Sequence, residues 1–361
     1  MTLGARAIGP LLGVALLSAA SGAARNDEPY RVLRAVGGFS ASELEGLERG
    51  EPLAKVLDTD RREIAIVGGV RINAPFDPLF EGYRDVSRLR SSHIVQEAGA
   101  FGKTPTADDL RSLTFEDYDL QTIRDCRPGD CGVRLPDTAM QRMQREVDWH
   151  AADWRERASS LWRRLLADYV AAYEAHGHEA LAQYRNKEVP LSVPQEFAVL
   201  FGESELFRSA APECFRYLRE FPHAPLDGAE DLFYWSKEDF GLRPVVSLTH
   251  QTLYAAASRA SQSQPAAVIA TQRFYATHYF DAALGLTLVF SDGPSGFYLV
   301  ALDRARTRSL TSFTRGLVRG VVQRRSRDAM QKILLSTKSG LERPSRGRPS
   351  PRPGAAIFAW R

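Results

Sequence analysis

The sequence predicts an α+β fold in which an antiparallel sheet is closed by one long C-terminal helix and interrupted by a helical insertion. Residues 232–302 contain five runs rich in β-branched and aromatic residues, separated by turn residues such as Ser291-Asp292-Gly293-Pro294. This pattern is typical of consecutive antiparallel strands. In residues 312–335 apolar side chains recur at helical spacing, which predicts the final helix. Residues 137–186 lack proline and show the same spacing, so we expect two inserted helices that separate near His150.

The first twenty-four residues have the three parts of a signal peptide. Arg6 supplies the charge, residues 7–20 are apolar, and Gly22 and Ala24 are the small residues before the cut. The apolar stretch is shorter than the roughly 20 residues of a membrane-spanning helix. We therefore expect cleavage after Ala24 and a periplasmic or secreted protein, a location that disfavours nucleic acid as a partner. The alternative is an uncleaved anchor or a buried helix.

The next elements precede the sheet. Residues 25–60 form a polar lead-in with one short helix, because Ser40 and Glu43 have the spacing of a capping box. Residues 63–73 are rich in β-branched side chains, which predicts a strand that ends at an Ala-Pro step. Residues 76–85 repeat aromatic and leucine side chains at helical spacing, so a short helix follows.

Three cysteines bear on the compartment and on the chemistry. Cys126 and Cys131 enclose Arg-Pro-Gly-Asp, and the Pro-Gly pair favours a tight turn. In an oxidising compartment this pair is predicted to form a disulfide. The alternatives are a redox pair, which usually has two intervening residues, or half of a zinc site, for which a second cysteine pair is missing. We expect Cys214 to be a buried small residue rather than a nucleophile.

The charge is nearly balanced overall but concentrated near the C-terminus. The chain has 47 Lys and Arg against 44 Asp and Glu, a net charge of +3, which gives no indication of nucleic-acid binding. Residues 339–361 form a basic, proline-rich tail of a composition typical of disorder. Before it, eight arginines are expected either to form a solvated face or to contact an anionic membrane surface: Arg304, Arg306, Arg308, Arg315, Arg319, Arg324, Arg325 and Arg327.

Two histidines lie among apolar residues on predicted strands. By the two-residue period of a strand, His250 shares a face with Tyr254, and His278 shares a face with Phe274 and Phe280. These five residues are our candidate ligand-binding set, because a ligand pocket combines apolar walls with a few polar groups. The alternative is that both histidines are core residues with satisfied hydrogen bonds.

The order of strand, Ala-Pro step, short helix, antiparallel strands and final helix resembles the START-like, or helix-grip, superfamily of polyketide cyclases and lipid-transfer proteins. The likeness is carried by Val70-Arg71-Ile72-Asn73-Ala74-Pro75, by residues 76–85 and by residues 232–302. It implies a curved sheet around the last helix, a deep cavity that holds a hydrophobic small molecule or lipid, and one domain over residues 61–338. The insertion at 137–186 departs from the usual pattern. The Asp-Cys-Arg-Pro-Gly-Asp-Cys segment is similar to one in exported bacterial proteins of unknown function.

The sequence contains no motif that assigns a catalytic residue, a cofactor or a metal. Gly-x-Ser-x-Gly, His-Glu-x-x-His and a phosphate-binding glycine loop are absent. His176 and His178 are two residues apart and point to different helix faces, which disfavours a metal pair. The sequence therefore favours an exported protein that binds a hydrophobic small molecule or lipid. The alternatives are a cyclase or hydrolase that uses His250 or His278, and an envelope interaction module that docks a partner through the inserted helices.

Overall fold

The structure is a computed structural model that describes residues 26–256, 264–293, 296–310 and 316–343. The predicted signal peptide and residues 344–361 of the predicted tail lie outside the described residues. Residues 339–342 of that tail belong to the final helix, which therefore runs further than the prediction of 312–335. The described strands are β1 (Leu53–Val56), β2 (Glu63–Ile72), β3 (Val95–Ala100), β4 (Gln183–Tyr184), β5 (Leu191–Ser192), β6 (Ala229–Glu238), β7 (Val245–Ala255), β8 (Ala267–Ala276), β9 (Ala282–Ser291) and β10 (Phe297–Arg306).

Helices precede, interrupt and follow these strands. The described helices are α1 (Glu28–Gly37), α2 (Ala41–Glu48), α3 (Asp77–Arg84), α4 (Asp117–Arg124), α5 (Asp137–Glu146), α6 (Trp154–His176), α7 (Val193–Gly202), α8 (Glu205–Ala210), α9 (Pro212–Arg219) and α10 (Gly316–Glu342). None of the described helices is long and apolar enough to cross a membrane.

Eight of the described strands form one curved antiparallel sheet in the order β1-β2-β10-β9-β8-β7-β6-β3. β2 pairs with β10 along its whole length, from Ile72 opposite Phe297 to Glu63 opposite Arg306. β4 and β5 form a separate ribbon. The sheet and the helix that follows it have the arrangement that the sequence predicts.

Both faces of the sheet are covered. One face packs against α1, α2 and the helices between β3 and β6, through large side chains such as Trp162, Tyr173 and Phe197. The other face packs against α3 and α10, through residues such as Phe80, Met330 and Leu334. Because both faces of the sheet are covered, nearly every residue of β7 to β10 is buried, and burial does not alternate along these strands as it would in a one-sided sheet.

Several boundaries differ from the prediction. The polar lead-in contains a further helix, α1, whose Tyr30 and Leu33 are buried. α4 precedes the predicted insertion and α7 to α9 follow it, so the inserted helices extend beyond 137–186 on both sides. The strand predicted over 269–280 ends at Ala276, and Tyr279 has a φ of +58°, which marks a turn.

Four local predictions are confirmed. Ser40 and Glu43 form the capping box at the start of α2, with each side chain on the backbone N–H of the other residue. Cys126 and Cys131 form a disulfide, and Cys214 is a buried free thiol. The two inserted helices separate at residues 147–153, around His150.

The arginines near the C-terminus do not form one surface, which corrects the expectation for several of them. Arg304 and Arg306 are only 6% and 3% exposed, because they point into ion pairs with buried carboxylates. Arg308 and Arg319 donate to backbone carbonyls of neighbouring segments. Arg315 lies outside the described residues. Arg304 and Arg306 do not reach the surface because they lie on β10, at a buried end of the sheet.

Candidate ligand site beneath the final helix

A cavity of about 50 Å³ lies between the sheet and α10. This volume holds a few water molecules and is smaller than the roughly 300–1,000 Å³ of typical ligand pockets. Apolar side chains supply most of its wall, and a few polar side chains project among them. Its lining includes Thr271, Arg273, Ala301, Asp303, Met330, Ile333, Leu334 and Thr337.

Arg273 is a buried cation in the lining of this cavity. It is 4% exposed, and its guanidinium lies 5.0 Å from the centre of the Phe280 ring. Its Nη2 donates to Glu238 Oε1 over 2.8 Å, whereas its Nε and Nη1 have no hydrogen-bond partner among the described residues. Buried N–H groups of a charged side chain are nearly always satisfied in proteins. The two unsatisfied atoms of Arg273 therefore indicate a place for water or for an acceptor group of a ligand.

Asp303 is the acid of the same cavity. It lies in register with Gly285 and, across β9, with Thr271. A Cβ atom at Gly285 would stand 2.4 Å from Thr271 Oγ1 and 2.8 Å from Asp303 Oδ1, so the missing side chain makes room for both groups. No hydrogen bond reaches the Asp303 carboxyl from the described part of the chain. Burial raises the pKa of the Asp303 carboxyl to about 7, and Arg273 acts in the opposite direction.

The face of α10 that closes the cavity carries both apolar and polar side chains. Met330, Ile333 and Leu334 supply apolar contacts, and Thr337 adds a hydroxyl. One turn before Met330, the Ser326 hydroxyl is fully buried and has no partner within the described ranges. An unsatisfied hydroxyl on the buried side weakens the packing of this helix relative to a fully apolar one. The helix is therefore less firmly held over the cavity than its length suggests.

His250 and Phe274, two of the five predicted ligand residues, face the helical layer on the other side of the sheet. The Nε2 of His250 lies 2.8 Å from Asp231 Oδ1, and its Nδ1 lies 3.3 Å from the Tyr173 hydroxyl. The ring of Phe274 stacks on that of Tyr173 at 4.3 Å. With both ring nitrogens bonded, His250 has the surroundings of a core histidine, and its role in binding stays a prediction.

The other three predicted residues lie in three different places. Tyr254 donates its hydroxyl to Glu213 of α9 over 3.2 Å. His278 follows β8 and borders a separate cleft. The Phe280 ring packs against the Arg273 guanidinium, so Phe280 contacts a residue that lines the cavity. The structure thus does not bring the five together, because the strand ends at Ala276 and the two-residue period stops there.

Arg273 and Asp303 were not among the predicted site residues. Arg273 lies inside a run of β8 that is otherwise uncharged, and Asp303 follows six uncharged residues of β10. A charged residue in the middle of a buried strand is unusual and is the signal that indicates them. Within the described ranges, no group of three or more His, Cys, Asp or Glu side chains is arranged to hold a metal ion.

Comparisons with known proteins add a structural similarity. No protein-family model matches the sequence, and a comparison with curated proteins finds no match. Among solved structures, the chain is similar to human STARD10, with a TM-score of 0.33 and 10% sequence identity, over 83% of this chain and 82% of that chain. The fold class given above rests on the strand order and helix packing of this chain itself.

Proposed function

We propose that this protein binds a hydrophobic small molecule or lipid that carries an acidic or hydrogen-bonding group, in the space between the sheet and α10. The observation that supports the proposal most is the buried Arg273 guanidinium, whose Nε and Nη1 have no partner in the described part of the chain. An arginine in this state offers two donors to a carboxylate or phosphate. The apolar walls around it suit the remainder of an amphipathic molecule.

Binding of such a molecule requires the cavity to grow. Its present volume of about 50 Å³ admits only a few waters. The sheet side of the cavity is held by the strand ladders, whereas α10 contributes one helix with an unsatisfied Ser326 hydroxyl on its buried side. We therefore place the movement in α10, which would shift away from the sheet as the ligand enters.

Replacement of Arg273 by Met is expected to weaken binding of a fluorescent fatty acid about tenfold, because a charge-assisted hydrogen bond to the carboxylate is lost. Binding of the methyl ester of the same fatty acid should change little, since the ester carries no charge for Arg273 to pair with. Fluorescence titration measures both affinities. Arg219→Met, on the exposed side of α9, is the matched control.

Ala301→Leu provides a second test that leaves the charges in place. Ala301 lines the cavity, so a larger apolar side chain there should fill the space and reduce binding of the acid and the ester alike. Retention of full affinity for both probes in Ala301→Leu, with the protein folded by circular dichroism, would contradict binding in this cavity. Separately, mass spectrometry of lipids that copurify with the wild-type protein would identify the natural ligand class.

The proposed compartment is the periplasm or the exterior. The Cys126–Cys131 disulfide supports this location, because disulfides persist in oxidising compartments. We expect the mature protein in the periplasmic or extracellular fraction to begin at Arg25, as read by N-terminal sequencing. Full-length chain that starts at Met1 and remains in the cytoplasmic fraction would contradict export. Contact with an anionic membrane surface through exposed residues of α10, such as Arg324 and Lys332, belongs to the same proposal.

A further inference from the structure

A cleft of about 950 Å³ opens at the end of the sheet where β8 turns into β9. It is separate from the cavity beneath α10. Its walls come from the disulfide loop, from the segment around β4 and β5, and from the turn that holds Tyr279. The volume is large enough for a small ligand. Its polar side chains determine what kind of group it would hold.

His278 is the buried polar group of this cleft. The residue is 8% exposed and lines the cleft. Its Nε2 lies 3.1 Å from both carboxylate oxygens of Asp119, on α4, so the N–H at this position donates to the carboxylate. No hydrogen bond to Nδ1 is present in the described residues. Asp119 therefore fixes the ring and leaves Nδ1 to interact with a ligand in the cleft.

Cationic side chains surround this histidine. Lys187 and Arg243 line the cleft, and neither forms an ion pair within the described ranges. The Arg243 guanidinium is held 3.6 Å from the centre of the Tyr118 ring, at the rim. Two acidic side chains of the lining already form ion pairs. Asp130 pairs with Arg127, and Asp281 pairs with the buried Arg134 at 2.6 Å.

Glu188 is the exception among these acids. It is exposed, it lines the cleft next to Lys187, and it forms no ion pair in the part of the chain that the structure describes. Its charge opposes binding of an anion. Glu188 therefore offers a variant whose effect should have the opposite sign to that of Lys187 or His278.

The disulfide loop shapes one wall. The N–H of Cys131 donates to the carbonyl of Asn186 over 3.0 Å, and the N–H of Gly129 donates to the carbonyl of Arg185. These bonds fix the segment that carries Lys187 against the loop. The Cys126–Cys131 bridge thus helps to hold Lys187 in the wall of the cleft that His278 also lines.

We propose that this cleft binds a phosphate group, with His278 Nδ1 in a hydrogen bond to one of its oxygens and with Lys187 and Arg243 supplying positive charge. A phosphate suits the site because several separate donors can each reach a different oxygen of the same group. The phosphate could belong to a soluble ester or to a lipid headgroup, and the two sources require different tests. The proposal does not depend on ligand binding beneath α10.

Inorganic phosphate is the first probe, titrated into the full mature protein while the His278 ring resonances are followed by NMR. We expect saturable shifts at His278, an affinity about tenfold lower in His278→Asn, and an affinity a few-fold lower in Lys187→Gln. Glu188→Gln should raise the affinity a few-fold. His93→Asn, an exposed histidine outside the cleft, is the matched control. Both Lys187 and Glu188 are exposed, so these two variants should fold normally.

Vesicles with and without phosphatidic acid are the second probe, in a sedimentation assay with the same variants. Binding that depends on phosphatidic acid and on His278, together with weak binding of free phosphate, would assign the group to a lipid headgroup. Cys126→Ser with Cys131→Ser should lower the affinity in whichever arm binds. The proposal would be overturned if neither probe binds, or if affinity is the same in wild type, His278→Asn and Glu188→Gln.

Discussion

Arg306→Met is expected to lower the free energy of unfolding by about 3 kcal/mol, because it removes one cation from a buried set of charges. Arg306 Nε donates to Glu196 Oε2 over 2.6 Å, and its Nη1 donates to Asp60 Oδ2 over 3.0 Å. Its Nη1 also lies 3.3 Å from Glu63 Oε2. Glu63 and Glu196 are buried, so the loss of a cation leaves negative charge that water cannot reach. Urea titration measures the change.

Two further variants separate the ion-pair effect from other causes. Adding Glu196→Gln to Arg306→Met should recover part of the loss, because the second change removes one of the buried carboxylates that Arg306 neutralises. Arg157→Met is the control, since Arg157 and Asp153 form an ion pair with both side chains more than half exposed. Such a pair contributes under about 1 kcal/mol. An equal effect of Arg306→Met and Arg157→Met would show that the buried charges do not stabilise the fold.

Asp303→Asn is expected to stabilise the protein above neutral pH. Burial raises the pKa of Asp303 in the folded chain to about 7 from an ordinary value of 3.8. Between these two pH values the unfolded chain has lost this proton and the folded chain still holds it. The free energy of unfolding therefore falls as the pH rises through this window, and the contribution is fully lost above pH 7.

The asparagine variant lacks this titration. At pH 8 we expect its free energy of unfolding to exceed that of wild type by about 2 kcal/mol, since each unit of pKa difference corresponds to about 1.4 kcal/mol and solvent in the cavity offsets part of it. At pH 4 the two proteins should be nearly equal. Asp227→Asn, at an exposed position, is the control. A wild-type difference between pH 4 and pH 8 that persists unchanged in Asp303→Asn would contradict the assignment to this carboxyl.

The strands and the final helix could be predicted because their local patterns agree with their place in the fold. β6 to β10 are dense in β-branched and aromatic residues and end at turn residues, and α10 has apolar residues at helical spacing. β1 and β3 were missed because they are short strands at the two edges of the sheet, where pairing depends on a neighbour far away in the chain. α7 to α9 were missed because they have only six to ten residues each, too few to establish a helical period against the phenylalanines they contain, a residue common in strands.

The site was harder to predict than the fold, for a reason that Arg273 and His278 illustrate. The period of a strand tells which residues share a face, but it does not tell which of two buried faces holds a cavity. His250 and Phe274 share a face that is packed with aromatic rings, whereas Arg273, one residue earlier than Phe274, faces α10. The Asp119–His278 contact joins residues 159 positions apart, and no local pattern reports such a pair.

The pairing of β2 with β10 has a consequence for how the chain folds. β2 is made early in synthesis, yet its partner along all ten residues is the last strand, beyond residues 73–296. Until β10 emerges, the run Glu63–Ile72 has β1 on one side and an open, largely apolar edge on the other. Contacts between such distant segments form slowly. The unfinished chain therefore carries an aggregation-prone strand that must stay protected until the end of the sequence has been made.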